Sequence, residues 1–142
     1  MSKSRYQDHL TKVPLFAGCT KKQLDHVASI VTELKIPAGE VLMHEGSVAH
    51  EFVIIESGSA GVRRGTRKVA TLGAGDVVGE LALVLNRPRN ATVTAETDLK
   101  VLVVDSRSFN RLLDEVPGLA RRLLTTVAER LADTSKPTAL LH

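Results

Sequence analysis

A chain of 142 residues, 43% hydrophobic and 25% charged, suits one globular domain whose core needs no disulfide. Its 19 Lys and Arg against 16 Asp and Glu leave +3, too small and too scattered an excess for a nucleic-acid-binding face. No apolar run approaches a membrane span, residues 1–9 are too polar for a secretory signal, and Cys19 stands alone, which fits a cytoplasmic protein.

The segment Val13-Pro14-Leu15-Phe16 is apolar and precedes a helical pattern over residues 21–31. There Leu24, Val27, Ala28 and Val31 recur at i, i+3, i+4 and i+7, and Thr20 is placed to cap the start. From about residue 34 to 105 the texture changes to short β-type runs. Val41-Leu42-Met43, Phe52-Val53-Ile54-Ile55, Ala60-Gly61-Val62, Val69-Ala70-Thr71-Leu72, residues 91–95 and residues 99–104 all read as strands. Glycine-rich turns separate them at roughly eight-to-twelve-residue spacing, the rhythm of an antiparallel barrel or sandwich. Arg63-Arg64-Gly65-Thr66-Arg67-Lys68 reads as a hairpin tip with Gly65 at positive φ, its four cations a solvated turn that blunts a sheet edge. Ser106 or Ser108 is placed to cap a helix over residues 109–115, and Pro117 to open a second helix running to about Thr134. Leu119, Leu123, Val127 and Leu131 form its apolar stripe, widened by Ala120, Leu124 and Ala128, and Pro137 ends it. The element order predicts an α+β domain with one continuous core.

Residues 75–93 do not read as ordinary barrel. Glu80 to Leu85 has helix-forming composition, and a helical turn inserted in a barrel presents free backbone N–H groups to an anion. Gly79 lets a ligand approach them closely. Arg89 adds a planar fork suited to two phosphate oxygens, and the Glu80 carboxylate accepts from hydroxyl groups. A lone glutamate at a helix start or a lone arginine after a proline is ordinary surface chemistry. Together, nine residues apart behind Gly79, they suit a ligand with an anionic phosphate and a nearby hydroxyl, as in a cyclic nucleotide.

The run Gly79-Glu80-Leu81-Ala82-Leu83, then Pro88-Arg89-Asn90-Ala91-Thr92-Val93, resembles the phosphate-binding cassette of cyclic-nucleotide-binding domains. Pro37-Ala38-Gly39-Glu40-Val41-Leu42, Glu45-Gly46, Phe52 to Ile55 with Gly58, and Gly75-Asp76 also stand where that family places them. The resemblance therefore covers nearly the whole chain. It implies an antiparallel double-stranded β-helix, a jelly-roll-like barrel, with an N-terminal helix, a short cassette helix and two C-terminal helices. The domain would span residues 1–135, with the barrel at about 34–105, the helices at about 106–135 and a tail at 136–142.

The resemblance further implies that Glu80 binds the ribose 2′-hydroxyl and Arg89 the exocyclic phosphate oxygens. Gly79, Leu81, Ala82 and Ala91 would offer backbone groups, and Val62 and Val69 would pack against the base. Asn90 departs from the Ala, Ser or Thr usual after the arginine, leaving base selectivity open between cAMP and cGMP. The C-terminal region is similar to that of the catabolite-activator type of effector domain, where a Thr-Ser pair reads adenine across a dimer seam. Thr134 and Ser135 fall on that pair, which implies cAMP, a homodimer through the last helix and a bacterial style of architecture.

His9, His26, His44, His50 and His142 lie too far apart for helical metal-ligand spacing. No Ser-His-Asp order, P-loop or metal cluster is visible, so the expectation is a receptor and not an enzyme, with no metal and no cofactor beyond its cyclic-nucleotide ligand. It would move its C-terminal helix on binding and regulate an unknown protein partner in trans, without contacting nucleic acid or membrane. The alternatives are the effector-domain fragment of a cAMP-dependent transcription regulator, and a nucleotide-free protein-interaction scaffold.

Overall fold

The computed structural model describes residues 10–11, 13–79 and 87–132. Its strands are β1 (Thr32–Ile36), β2 (Val41–Met43), β3 (Glu51–Ser57), β4 (Ala60–Arg64), β5 (Arg67–Leu72), β6 (Val77–Val78), β7 (Thr92–Ala95) and β8 (Leu99–Asp105). The helices are α1 (Lys21–Ile30), α2 (Ser106–Glu115) and α3 (Leu119–Ala132), with a 3₁₀ turn at Pro14–Phe16. Two four-stranded antiparallel sheets result, in the orders β1-β8-β3-β6 and β2-β7-β4-β5. This is the expected α+β jelly-roll, while the expected cassette helix, over residues 80–85, and the 136–142 tail lie outside the described residues.

The core is not the single continuous one expected: apolar residues divide between two cores because β3 and β8 are covered on both faces. Val53, Ile55, Leu99 and Val101 point between the sheets, where they meet Met43, Val62, Val78, Ala91 and Val93. Their neighbours Phe52, Ile54, Leu102 and Val104 point the other way, onto Leu24 and Val27 of α1 and Phe109 and Leu112 of α2. A strand buried on both sides must be apolar at successive positions, which explains the unbroken run Phe52-Val53-Ile54-Ile55. Phe52 and Phe109 meet edge to face, ring centres 4.7 Å apart and planes at 72°.

Helix α1 begins as its sequence demands. The Thr20 hydroxyl accepts from the Gln23 N–H at 3.1 Å, and the Gln23 side chain accepts from the Thr20 N–H at 2.9 Å, a reciprocal capping box. Four other expectations shift. The barrel opens at Thr32 rather than about residue 34, since β1 pairs in register with β8 from Thr32↔Val103 to Ile36↔Leu99. Asp105, not a serine, caps α2: its Oδ1 accepts from the Ser108 N–H at 2.8 Å, so the helix starts at Ser106. Pro117 lies before α3, not within it. Val116 takes extended geometry, as a residue preceding proline prefers, and Pro117-Gly118 make a turn closed by Leu119 N–H to Val116 O at 3.2 Å. Leu119 and Leu123 are buried, but Ala120, Leu124 and Ala128, expected to widen the apolar stripe, are exposed; the side chains of Val127 and Leu131 lie outside those described.

Candidate functional site

The site is built where the chain leaves β6 and re-enters at β7. The turn before β6 is fixed to β3: the Gly75 N–H donates to Ile55 O at 2.8 Å and the Ile55 N–H to Asp76 O at 2.9 Å. The Asp76 carboxylate accepts from the Gly73 N–H at 2.8 Å. Val77 and Val78 then pair with Ile54 and Val53, which carries Gly79 to the barrel's buried inner face.

Gly79 has φ +91°, and a Cβ there would run into Nη1 of Arg89 and lie 2.8 Å from Met43 Cε. The glycine is therefore demanded twice, by backbone conformation and by space. Arg89 is 6% exposed, an unusual burial for a permanent cation. Its Nη1 donates to Gly79 O at 3.0 Å and its Nη2 to Glu51 O. Its backbone is held as well: the Arg89 N–H donates to Ser47 O, and Arg89 O accepts from the Gly46 N–H, both at 2.8 Å. Arg89 thus joins β3, the end of β6 and the β2–β3 loop.

Beside this cation lies the inner apolar core. Val62 is fully buried and pairs with Val93 on β7 and Ala70 on β5. Val69 is half-buried against the same cluster, and Ala91 is 4% exposed within it. Asn90, half-buried, lies between Arg89 and Ala91. A buried guanidinium at the edge of an apolar enclosure can bind an anion whose remaining surface is flat and apolar. The structure thus brings together Gly79, Arg89, Asn90, Ala91, Val62 and Val69. Glu80, Leu81, Ala82, Thr134 and Ser135 lie outside the described residues.

Sequence reasoning missed three contributors. Met43 fills the space opposite Gly79, and Glu51 acts through its carbonyl, which leaves no side-chain signal. Arg64 is the third. The hairpin turns at Gly65, with φ +60°, as expected, and Arg63, Arg67 and Lys68 are exposed. Lys68 pairs with Glu96 at 2.6 Å. Arg64 departs from the solvated-tip expectation: it is half-buried, and its Nε donates to Asn90 O at 3.2 Å. Among the described residues no group of three metal-ligating side chains occurs, and no helix is long and apolar enough to cross a membrane.

A jelly-roll with a buried arginine anchored at a left-handed glycine defines a small-molecule-binding barrel. Residues 33–116 match the model of the cyclic nucleotide-binding domain, and the chain belongs to that family. It is 37% identical over 117 residues to a cAMP-dependent protein kinase regulatory subunit of Hypocrea atroviridis, covering 82% of this chain and 25% of that protein. It resembles the regulatory domain of Toxoplasma gondii PKA, co-crystallised with cAMP, with TM-score 0.80 and 28% identity over 89% of this chain and 50% of the other. The Thermus thermophilus catabolite activator protein superposes with TM-score 0.79 and 26% identity, over 90% of this chain and 62% of that one. The chain spans only a quarter of the length of the curated fungal relative. The bacterial style of architecture expected from the sequence has the Thermus protein on its side, but the kinase-subunit relatives are eukaryotic.

Proposed function

We propose that this chain is a cAMP receptor module that regulates a protein kinase catalytic subunit in trans through the position of its C-terminal helix. One observation carries the reading: Arg89 is buried against the Gly79 carbonyl beside an apolar enclosure walled by Val62 and Ala91. With its fork held by the Gly79 and Glu51 carbonyls, the planar guanidinium is fixed in place beside that enclosure, and its geometry suits two phosphate oxygens. Arg89 binds the exocyclic phosphate, Gly79 and Ala91 offer backbone groups, Val62 and Val69 flank the base, and Asn90 lies beside the phosphate. Glu80 is assigned to the ribose 2′-hydroxyl, Leu81 and Ala82 to backbone contacts, and Thr134 and Ser135 to the adenine amino group.

The choice of a kinase partner is supported by the curated relative's name as a kinase regulatory subunit, and the choice of cAMP by that name and the cAMP-bound regulatory domain. Protein groups alone do the work: they bind, orient and exclude water, with no reaction step.

Calorimetric titration with cAMP and with cGMP tests the proposal. Wild type is expected to bind cAMP more tightly. Arg89→Ala is expected to lose about 2–5 kcal/mol, roughly thirty-fold to several thousand-fold in affinity. Because Arg89 also ties protein carbonyls together, Arg89→Lys serves as a companion that keeps the charge while losing the fork. It should fold and still bind at least ten-fold more weakly. A folded wild type that binds neither nucleotide overturns the proposal in favour of a scaffold.

A further inference from the structure

We propose that Arg64 is a positioning residue of the ligand site, holding the Asn90 carbonyl so that the Ala91 N–H on the same peptide faces the bound phosphate. The inference rests on the cyclic-nucleotide reading above and adds to it a residue on a different strand. Arg64 ends β4, whose register with β7 pairs Val62 with Val93 and Arg63 with Thr92. One step further, Arg64 stands opposite Ala91, and the alternation of a strand puts it on the inward side with Ala60 and Val62. From there its Nε reaches Asn90 O at 3.2 Å.

The consequence follows from peptide geometry. The Asn90–Ala91 peptide is planar and trans, so its C=O and N–H point in opposite directions. Fixing the carbonyl on the Arg64 side turns the Ala91 N–H the other way. Ala91 is buried, and among the described residues its N–H has no carbonyl partner. A charged donor on the carbonyl also polarises the peptide, which makes that N–H a stronger donor toward an anion.

Two neighbouring bonds hold the same segment. The Gly65 N–H donates to Glu45 Oε1 at 2.9 Å, and the Glu45 N–H donates to Thr92 Oγ1 at 3.0 Å. The hairpin tip and the β2–β3 loop thereby bracket residues 90–92, and Arg64 supplies the central grip. Arg63, Arg67 and Lys68, exposed around it, do not share this placement.

The test uses the whole chain and two variants, Arg64→Met and Arg64→Lys, with cAMP as probe. The amide nitrogen resonance of Ala91 reports the hydrogen bond on the carbonyl before it, and its amide proton reports contact with phosphate. In Arg64→Met the nitrogen resonance is expected to shift without ligand. The cAMP-induced displacement of the Ala91 proton should shrink, and affinity should fall about 5- to 30-fold. Arg64→Lys, which keeps a cationic donor, should recover most of both and covers the case of a poorly folding Met variant. If affinity falls while the Ala91 signals stay put, Arg64 acts only as a distant charge and the inference is overturned. A wild type that binds cAMP, with variants that bind equally well, overturns it alone. A wild type without affinity overturns the receptor reading and this inference with it.

Discussion

Gly79 and Arg89 fix each other's geometry, and neither choice makes sense singly. Any side chain at Gly79 would meet the guanidinium, and without Arg89 the Gly79 and Glu51 carbonyls would lose a shared donor. Gly79→Ala forces an alanine to φ +91° and drives its methyl at Arg89 and Met43. The methionine tip can yield, whereas the guanidinium can move only by giving up its carbonyls. The variant should lose about 1–3 kcal/mol of stability and bind cAMP at least ten-fold more weakly. Urea unfolding with parallel calorimetry checks both, and a variant unchanged in each would mean that the Gly79 conformation is not required. The Gly79–Arg89 pairing is legible in the sequence because it is a short-range pattern of charged and small residues. Arg64 is not, since a cation among three others at a hairpin reads as solvated and only strand register turns it inward. Glu51 contributes a carbonyl, which every residue type has.

Caps and short strands separate what local sequence determines from what tertiary pairing determines. The Thr20 cap is a local signal and is legible in the sequence, whereas the structure adds the reciprocal bond to Gln23. Ser106 and Ser108 look like caps in the sequence, yet the Asp105 carboxylate is the stronger acceptor at a helix start, where the dipole favours negative charge. The Ser108 N–H bonded to it, aided by the Ser108 hydroxyl and by Arg107 and opposed by slight burial, holds the Asp105 carboxyl below the usual carboxylate range. A folded pKa below the unfolded one stabilises the fold above the unfolded value, about 3.9, and that contribution disappears as pH falls through the lower folded value. Asp105→Ala should cost about 1 kcal/mol at neutral pH, and the difference from wild type should shrink in acid below about pH 4. Asp105→Asn keeps the cap and should lose only the pH dependence, a part that solvent screening keeps small. Thermal unfolding of the three proteins at neutral and acid pH checks this, and a constant gap would assign the effect elsewhere. The sequence gives no strand signal at β1, because Thr32, Leu34 and Lys35 are exposed at a sheet edge and show no clean alternation. Strand β6 is two residues long, so only its pairing with Ile54 and Val53 makes it a strand.

At the scale of the molecule, the wall formed by β3 and β8 separates two cores with different tasks. The inner core carries Val62, Ala91 and the flank of Arg89; the outer core carries the helices. A ligand that changes the inner face can influence the helices through the wall, and the Phe52–Phe109 contact is one place where α2 touches it. If α2 and α3 shift between the free and bound states, Phe109 packs differently in each, and a change there must alter ligand affinity by linkage. Phe109→Leu touches no residue of the inner core. It should lower stability by about 1–2 kcal/mol while changing cAMP affinity several-fold, within the roughly 5- to 150-fold range of ordinary coupling. A stability effect at Leu24 of α1, which packs on the same outer core, serves as the reference: Leu24→Ala should destabilise by about 2–5 kcal/mol whether or not the site is coupled. Saturating cAMP at one hundred times its dissociation constant should add about 2.7 kcal/mol to wild-type stability. Calorimetry and thermal unfolding together separate the cases. If Phe109→Leu loses stability but keeps wild-type affinity and the full ligand-induced gain, α2 is a fixed part of the frame and the output of binding leaves the barrel by another route.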